Sequence, residues 1–386
     1  MSALRSICNC KIKNRTKLAY SQTGNSRILF IGIALLAVVL GIYVQGRQNQ
    51  TEPPIFEKTV LLPAPRAIQA TTFTDHRGET FGPEQFKDLW TIVFFGFTNC
   101  PDICPSTLRI LKDVKEKVSQ AGLWEGYQVV MVSVDPARDT PQKLGTYVPF
   151  FDAEFLGVTA DLEETREFAK SVGALFIKRE NEQNDEWYDV DHSASLILIN
   201  PQGQWAGAIT APHRTDQISN DLIKLANYHG SLKTAKADDA VEREETPNTS
   251  ASNITPTSTS TKTPTALQIK QAWIRPAPPN AHALAAYLEI HNTSAQDVTI
   301  VDIQSADFQI SMIHDTEVSD GVASMRHLDK LIIPTGQRVQ LEPLGKHIML
   351  MQPKIPMALG SVTQVTLLSD QGQRFSTEIE VREQPE

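Results

Sequence analysis

A chain of 386 residues is longer than a single hydrophobic core usually organises, so two domains joined by connecting segments are expected. Its 45 acidic against 36 basic side chains, a formal charge of −9, exclude a nucleic-acid partner, because phosphate binding needs clustered Lys and Arg that this chain lacks beyond its N-terminus. With 41% hydrophobic residues and 4 cysteines, the folds must rest on apolar cores rather than on a disulfide framework.

Residues 1–27 form a basic tail containing Arg5, Lys11, Lys13, Arg15 and Lys17 and no acidic residue. Residues 28–44 follow as an uninterrupted apolar run flanked by Arg27 and Arg47, at the lower length limit of a transmembrane helix. Glu52 and Glu57 come soon after, so the positive-inside rule keeps the tail cytoplasmic and places everything beyond the run outside. No small-x-small cleavage site succeeds the run, which reads as an uncleaved, single-pass anchor. Cys8 and Cys10 fall in the tail and are read as incidental.

Over residues 59–230 apolar runs alternate with helical patterns, as in a sheet covered by helices. Residues 91–97 (TIVFFGF) read as a buried strand, 105–118 as a helix with Pro in its first turn, and 128–134 as a second buried strand. Thr140-Pro141 has the chemistry of a helix start, and Asp161 with Glu164 opens another helix. A hairpin spans 195–209 around Pro201-Gln202-Gly203. The order of elements is thioredoxin-like, an α/β fold.

The strand at 91–97 runs into Cys100-Pro101-Asp102-Ile103-Cys104-Pro105, which puts two thiols at a strand end and a helix N-terminus. Unpaired N–H groups and the helix dipole there favour thiolate, making both cysteines nucleophilic and competent as ligands. Soft thiolates select Cu(I) and accept Cu(II) when a nitrogen ligand joins them. His192, just before the hairpin strand expected beside the cysteine strand, supplies that nitrogen, with Asp191 placed to orient the ring. The same pair, Cys100 and Cys104, also suits thiol–disulfide exchange without a metal or a small structural disulfide. His213 reads as a surface residue.

The segments FTNCPDICPSTL, VSVDPARDTP and VDHSASLILINPQG, in this order over 59–230, resemble the Sco/SenC family. That resemblance implies a thioredoxin fold, copper held by Cys100, Cys104 and His192, and a role in building the dinuclear copper centre of cytochrome c oxidase subunit II. It also implies that Asp139 supports the site or faces a partner.

Residues 231–266 lose hydrophobic content, first in a charged run and then in a stretch of Thr, Ser, Pro and Asn that cannot bury enough apolar surface to order itself. As a flexible coil it spans about 30 Å, letting the flanking domains meet or separate. Residues 267–384 then show short alternating strands, such as 298–303, 338–341 and 362–368, punctuated by Pro and Gly. They predict a small all-β sandwich or barrel, with a cupredoxin-like sandwich the expected fold.

Cysteine is absent after Cys104, so a metal site in this second domain must use other ligands. His314, Met325, His347 and Met349 are the candidates. On a strand His347 and Met349 share one face while Ile348 and Leu350 turn to the core. Thioether sulfur selects Cu(I) yet forms no disulfides, which suits a carrier in an oxidising compartment. The pattern H-x10-M-x21-H-x-M, with AWIRPAPPN, AAYLEIHN and LGKHIMLM around it, resembles the PCuAC family of periplasmic copper chaperones.

Both resemblances imply a copper chaperone anchored in the bacterial inner membrane with its domains in the periplasm. Its expected partners are cytochrome c oxidase subunit II and other periplasmic copper carriers or thiol–disulfide reductants. The alternative is a thiol–disulfide oxidoreductase that reduces the cysteines of the oxidase copper site, which leaves the question of enzyme activity open. A copper sensor is a third possibility, but the basic tail holds no recognisable output domain.

Overall fold

The strand expected at 91–97 runs as Trp90–Gly96 in the computed structural model, which describes residues 54–179, 188–234 and 266–385 together with Phe30, Ile31, Ile33 and Leu36. In chain order the first domain contains β1 (Thr59–Ala67), β2 (Phe73–Asp75), β3 (Thr80–Phe81), β4 (Trp90–Gly96), α1 (Ile103–Gln120), β5 (Tyr127–Ser133), α2 (Pro141–Phe151) and β6 (Leu156–Thr159). It is completed by α3 (Leu162–Ser171), β7 (Phe176–Arg179), β8 (Asp189–Ser193), β9 (Leu196–Ile199), β10 (Gln204–Ile209) and α4 (Thr215–Thr234). Every residue of β4 is buried. It pairs in parallel with β5 and antiparallel with β9, so it needs apolar side chains on both faces and its sequence does not alternate. The sheet order is β1-β10-β9-β4-β5-β6-β2-β3.

Both expected helix starts form as capped ends. Thr140 Oγ1 accepts from the Lys143 N–H at 3.3 Å, with Pro141 in the first turn, and Asp161 accepts from the Glu164 N–H at 3.0 Å. The helix expected from 105 begins earlier, at Ile103, which brings Cys104 into its first turn. His213, expected on the surface, is half-buried ahead of α4 and its Nε2 has no hydrogen-bond partner.

The second domain contains β11 (Leu267–Ile274), β12 (Ala283–Asn292), β13 (Val298–Ser305), β14 (Phe308–Ser319), β15 (Val322–His327) and β16 (Leu331–Ile333). It continues through β17 (Arg338–Leu341), β18 (Lys346–Pro353), β19 (Val362–Ser369) and β20 (Arg374–Val381). Its strands follow the order β16-β13-β19-β20-β11-β12-β18-β14-β15, with β17 beside β12. Ile300 and Leu331 from one end share a core with Ile348 and Leu350 from the other, so the sheet folds over onto itself as a sandwich requires.

The sheet does not stop at the domain boundary. Edge strand β15 pairs with β8 of the first domain, Val322 opposite Ser193 and Ala323 opposite His192, and the Ala194 N–H donates to the Gly321 carbonyl at 2.8 Å. Ala323 is counted in the apolar core of the first domain rather than of its own. The described residues of the two domains, within 54–231 and 266–385, accordingly belong to one compact unit. Apart from Phe30, Ile31, Ile33 and Leu36, the anchor expected at 28–44 lies outside the described residues, as do the tail with Cys8 and Cys10 and positions 235–265 of the expected linker. Among the described residues no helix is long and apolar enough to cross a membrane.

Candidate functional site

The carboxyl end of β4 delivers the chain to Cys100, and the first turn of α1 holds Cys104. Both are free thiols, buried in the folded unit. The Cys104 backbone N–H, one of the unpaired donors of a helix start, points at Cys100 Sγ at 3.3 Å. Burial alone would push the Cys100 thiol up, but hydrogen bonds from Cys104 and His192 and the charge on His192 outweigh it and bring it down to about 5. Burial and the neighbouring Cys100 thiolate push Cys104 well above the ordinary range. The pair is therefore asymmetric, one sulfur anionic and the other holding its proton.

His192, near the end of β8, completes this cluster, with Nε2 at 3.8 Å from Cys104 Sγ. Its Nδ1 lies 3.0 Å from the Ser193 carbonyl, and since a carbonyl only accepts, Nδ1 carries the proton. That leaves Nε2 facing the sulfurs, free to hold a proton against the Cys100 thiolate or a lone pair for a metal. Asp191 does not orient the ring as the sequence suggested: its carboxylate pairs with Arg179 Nε on the neighbouring strand. Phe94 and Phe97 set their rings edge-on to the imidazole, with centroids 6.0 and 6.2 Å away.

Asp139 is fully buried and holds the loop before Cys100 rather than facing a partner. It accepts from the Thr98 N–H at 3.0 Å, from Thr98 Oγ1 at 2.5 Å and from Ser133 Oγ at 2.7 Å. Burial raises its carboxyl despite these bonds. Nearby, Lys143 Nζ donates to Asn99 Oδ1 at 2.6 Å, tying α2 to the same loop.

In the second domain the strand register gathers the expected ligands. His314 on β14 stands directly opposite His347 on β18, with ring centroids 6.0 Å apart, and Met349 stands opposite Met312. Met325 on β15 is opposite Thr316, two residues from His314 on the same face. As the sequence required, Ile348 and Leu350 turn the other way into the core. His347 Nδ1 lies 3.0 Å from the Gly345 carbonyl and so carries its proton, while the buried Nε2 has no partner. The buried Nδ1 of His314 is also unpartnered, and burial, with His347 and His327 adding to it, lowers this imidazole to about 3. Two buried imidazoles with idle nitrogens beside thioethers are a donor set suited to a soft cation. Met312 and Met351, left out of the sequence-derived set, pack with Met349.

Among the described residues no three His, Cys, Asp or Glu side chains make a ready-built cage, and the second set in any case relies on methionine. Asp102, inside the Cys100–Cys104 segment, carries no mark of its role in the sequence. This carboxylate, between the two cysteines, has no exposed surface and is held almost wholly by the second domain. Arg275 Nη1 donates to its carbonyl at 2.9 Å and to Oδ1 at 3.1 Å, and Tyr287 Oη donates to Oδ1 at 2.8 Å. Oδ2 accepts from Thr316 Oγ1 at 3.0 Å and from the Leu344 N–H at 2.9 Å, with His347 Nδ1 at 3.8 Å. Burial pushes this carboxyl up, yet His347, Arg275, Tyr287 and Thr316 together hold it below its ordinary range.

Comparison with known proteins matches two separate stretches of the chain. Residues 63–227 match the SCO1/SenC family model and residues 267–381 the model described as LpqE-like. A Stutzerimonas stutzeri protein named as copper-binding is 39% identical over 166 residues, covering 43% of this chain and 80% of that one. The mitochondrial SCO1 homolog 1 of Arabidopsis thaliana is 36% identical over 149 residues, but the chain spans only 43% of its length. Among solved structures, copper-bound ScoI of Arabidopsis thaliana is 30% identical over 43% of this chain and 98% of its own, with a TM-score of 0.38. The copper-bound PCuAC domain from PmoF2 is 19% identical over 31% of this chain and 93% of its own, with a TM-score of 0.27.

Proposed function

This chain belongs to the SCO1/SenC family through residues 63–227 and carries an LpqE-like domain over 267–381, and on that premise we propose that it is a copper-delivery protein with one copper site in each domain. Cys100, Cys104 and His192 hold the ion in the first, and His314, Met325, His347 and Met349 in the second. One observation carries the reading for both. In each domain a backbone carbonyl accepts a hydrogen bond from Nδ1 of a buried histidine, Ser193 for His192 and Gly345 for His347, and turns Nε2 inward. In the first domain that nitrogen meets the cysteine sulfurs, and in the second it is left without a partner on a face shared with methionines.

The two sets suit different demands. Thiolate with imidazole holds either copper oxidation state, whereas thioether with imidazole favours Cu(I) and survives oxidising surroundings. Copper is cargo here, and soft thiolate and thioether ligands permit its exchange with an acceptor. The apolar run at 28–44 anchors the chain in the inner membrane, with both domains in the periplasm, and the recipient is the dinuclear copper centre of cytochrome c oxidase subunit II. A second reading, reduction of that centre's cysteines before loading, draws on the asymmetry of the thiol pair. Cys100, at about 5, is the attacking thiolate and protonated Cys104 the resolving partner.

Anaerobic Cu(I) titration of the full chain in detergent, in a Cys8→Ser/Cys10→Ser background, tests the assignment. Two equivalents should bind, one lost in Cys100→Ser/Cys104→Ser and the other in Met325→Leu/Met349→Leu. If the methionine variant still took up both, the second site would be misassigned. If the cysteine variant did, the first domain would be left with thiol exchange alone.

A further inference from the structure

We propose that Asp102 is an interdomain latch, which closes the ligand face of the second domain over the cysteine site and joins the two ligand sets into one solvent-shielded path for Cu(I). This rests on the copper reading above and adds to it a docked state and the residue that holds it.

The path follows from strand register. Residues directly opposite on paired strands share a face, and diagonal neighbours lie about 7–8 Å apart, within reach of long side chains. Ala323 is opposite His192, so Met325, two residues further along β15, is the diagonal neighbour of His192 on the same face. Met325 is opposite Thr316, so it is equally the diagonal neighbour of His314 on the other side. His314 is opposite His347, and Met349 follows His347 two residues along β18. His192, Met325, His314, His347 and Met349 thus form a continuous line across β8, β15, β14 and β18, with a ligand of the first domain at one end. Met325, next to a histidine of each site, is the ligand common to both.

Asp102 lies over this same face. Tyr287 on β12, Thr316 on β14 and His347 on β18 all stand on it, and each approaches the carboxylate. A buried carboxylate is tolerated only when its oxygens are fully engaged, and here all but one of the donors to them come from the second domain; Ser106 Oγ, at 3.4 Å, is the exception. Should the domains part, water can replace these donors around Asp102. The contact is therefore suited to opening and closing. On the neighbouring side the cleft bounded by Cys100, Pro105, Tyr147, Arg275 and Ala285 has a free volume of about 10 Å³, at the limit for one water molecule. Passage along the line is ligand exchange: Cu(I) stays Cu(I), each step makes one copper–ligand bond before breaking another, and the Cys104 thiol proton is released to solvent as that sulfur takes the metal.

The test uses the full chain loaded with two equivalents of Cu(I), with Asp102→Asn and Asp102→Ala as variants. Amide hydrogen exchange at β8 and β15 reads docking, and exchange at β4 reports whether the first domain remains folded. The rate of copper loss to excess bicinchoninate reads shielding. In the variants we expect exchange at β8 and β15 and copper loss to accelerate at least tenfold, with β4 protection and a stoichiometry of two unchanged. Variants matching the wild type in hydrogen exchange and in copper loss would overturn the latch. A wild-type stoichiometry below two would instead overturn the copper reading, and the path with it, whatever the exchange pattern.

Discussion

Gly96, the last residue of β4, passes against the cysteine site with no room for a side chain. A Cβ there would lie 2.6 Å from the Phe94 ring and 3.1 Å from Cys104 Sγ, and Phe94 in turn packs its edge toward His192. Gly96→Ala should therefore cost about 1–3 kcal/mol, the usual penalty for overpacking a filled core. A lower urea midpoint, with weakened copper binding at the cysteine site, is the expected outcome; an unaltered midpoint would mean that the loop yields freely. At this scale much was legible. The two cysteines announce themselves by spacing and by their place between strand and helix, and the His/Met set by its strand periodicity. Asp191 was misread because proximity in sequence to His192 looked like proximity of function, whereas alternation along β8 sends its carboxylate to Arg179. Asp102 gave no signal of this role, since its partners in the second domain lie 173 to 242 positions away.

Among the elements, helix starts and buried strands were the best determined, because capping chemistry and uninterrupted apolar runs are local properties. The segment leading into α4 was not, and His213 shows the consequence. Burial, with Lys58 adding to it and the Ile209 carbonyl opposing, lowers this imidazole to about 4. The folded state thus excludes a proton that the unfolded chain binds below about 6.5. Stability tied to neutral His213 is complete above that value and declines as the pH falls toward about 4. Thermal unfolding followed between pH 7 and pH 4 should show Tm falling more steeply in wild type than in His213→Gln. Equal slopes would place the acid sensitivity elsewhere. The edge strand β15 was likewise readable as a strand, but not its pairing with β8, because an exposed edge carries no mark of what will cover it.

For the whole molecule, hydrophobic content falls at 231–266, and family models match residues 63–227 before that stretch and 267–381 after it. Sequence patterns are blind to the contact between those domains, since periodicity reports which face is buried and not against what. The same face of β12, β18, β14 and β15 that carries the His/Met ligands is the one that receives Asp102. The central claim is that the second domain binds Cu(I) through thioethers and imidazoles. X-ray absorption at the copper edge of the full chain with all four cysteines changed to serine, loaded with one equivalent of Cu(I), tests it most directly, because any sulfur then seen must come from methionine. Sulfur and imidazole scattering together is the predicted spectrum, and a copper surrounded only by nitrogen and oxygen would contradict it.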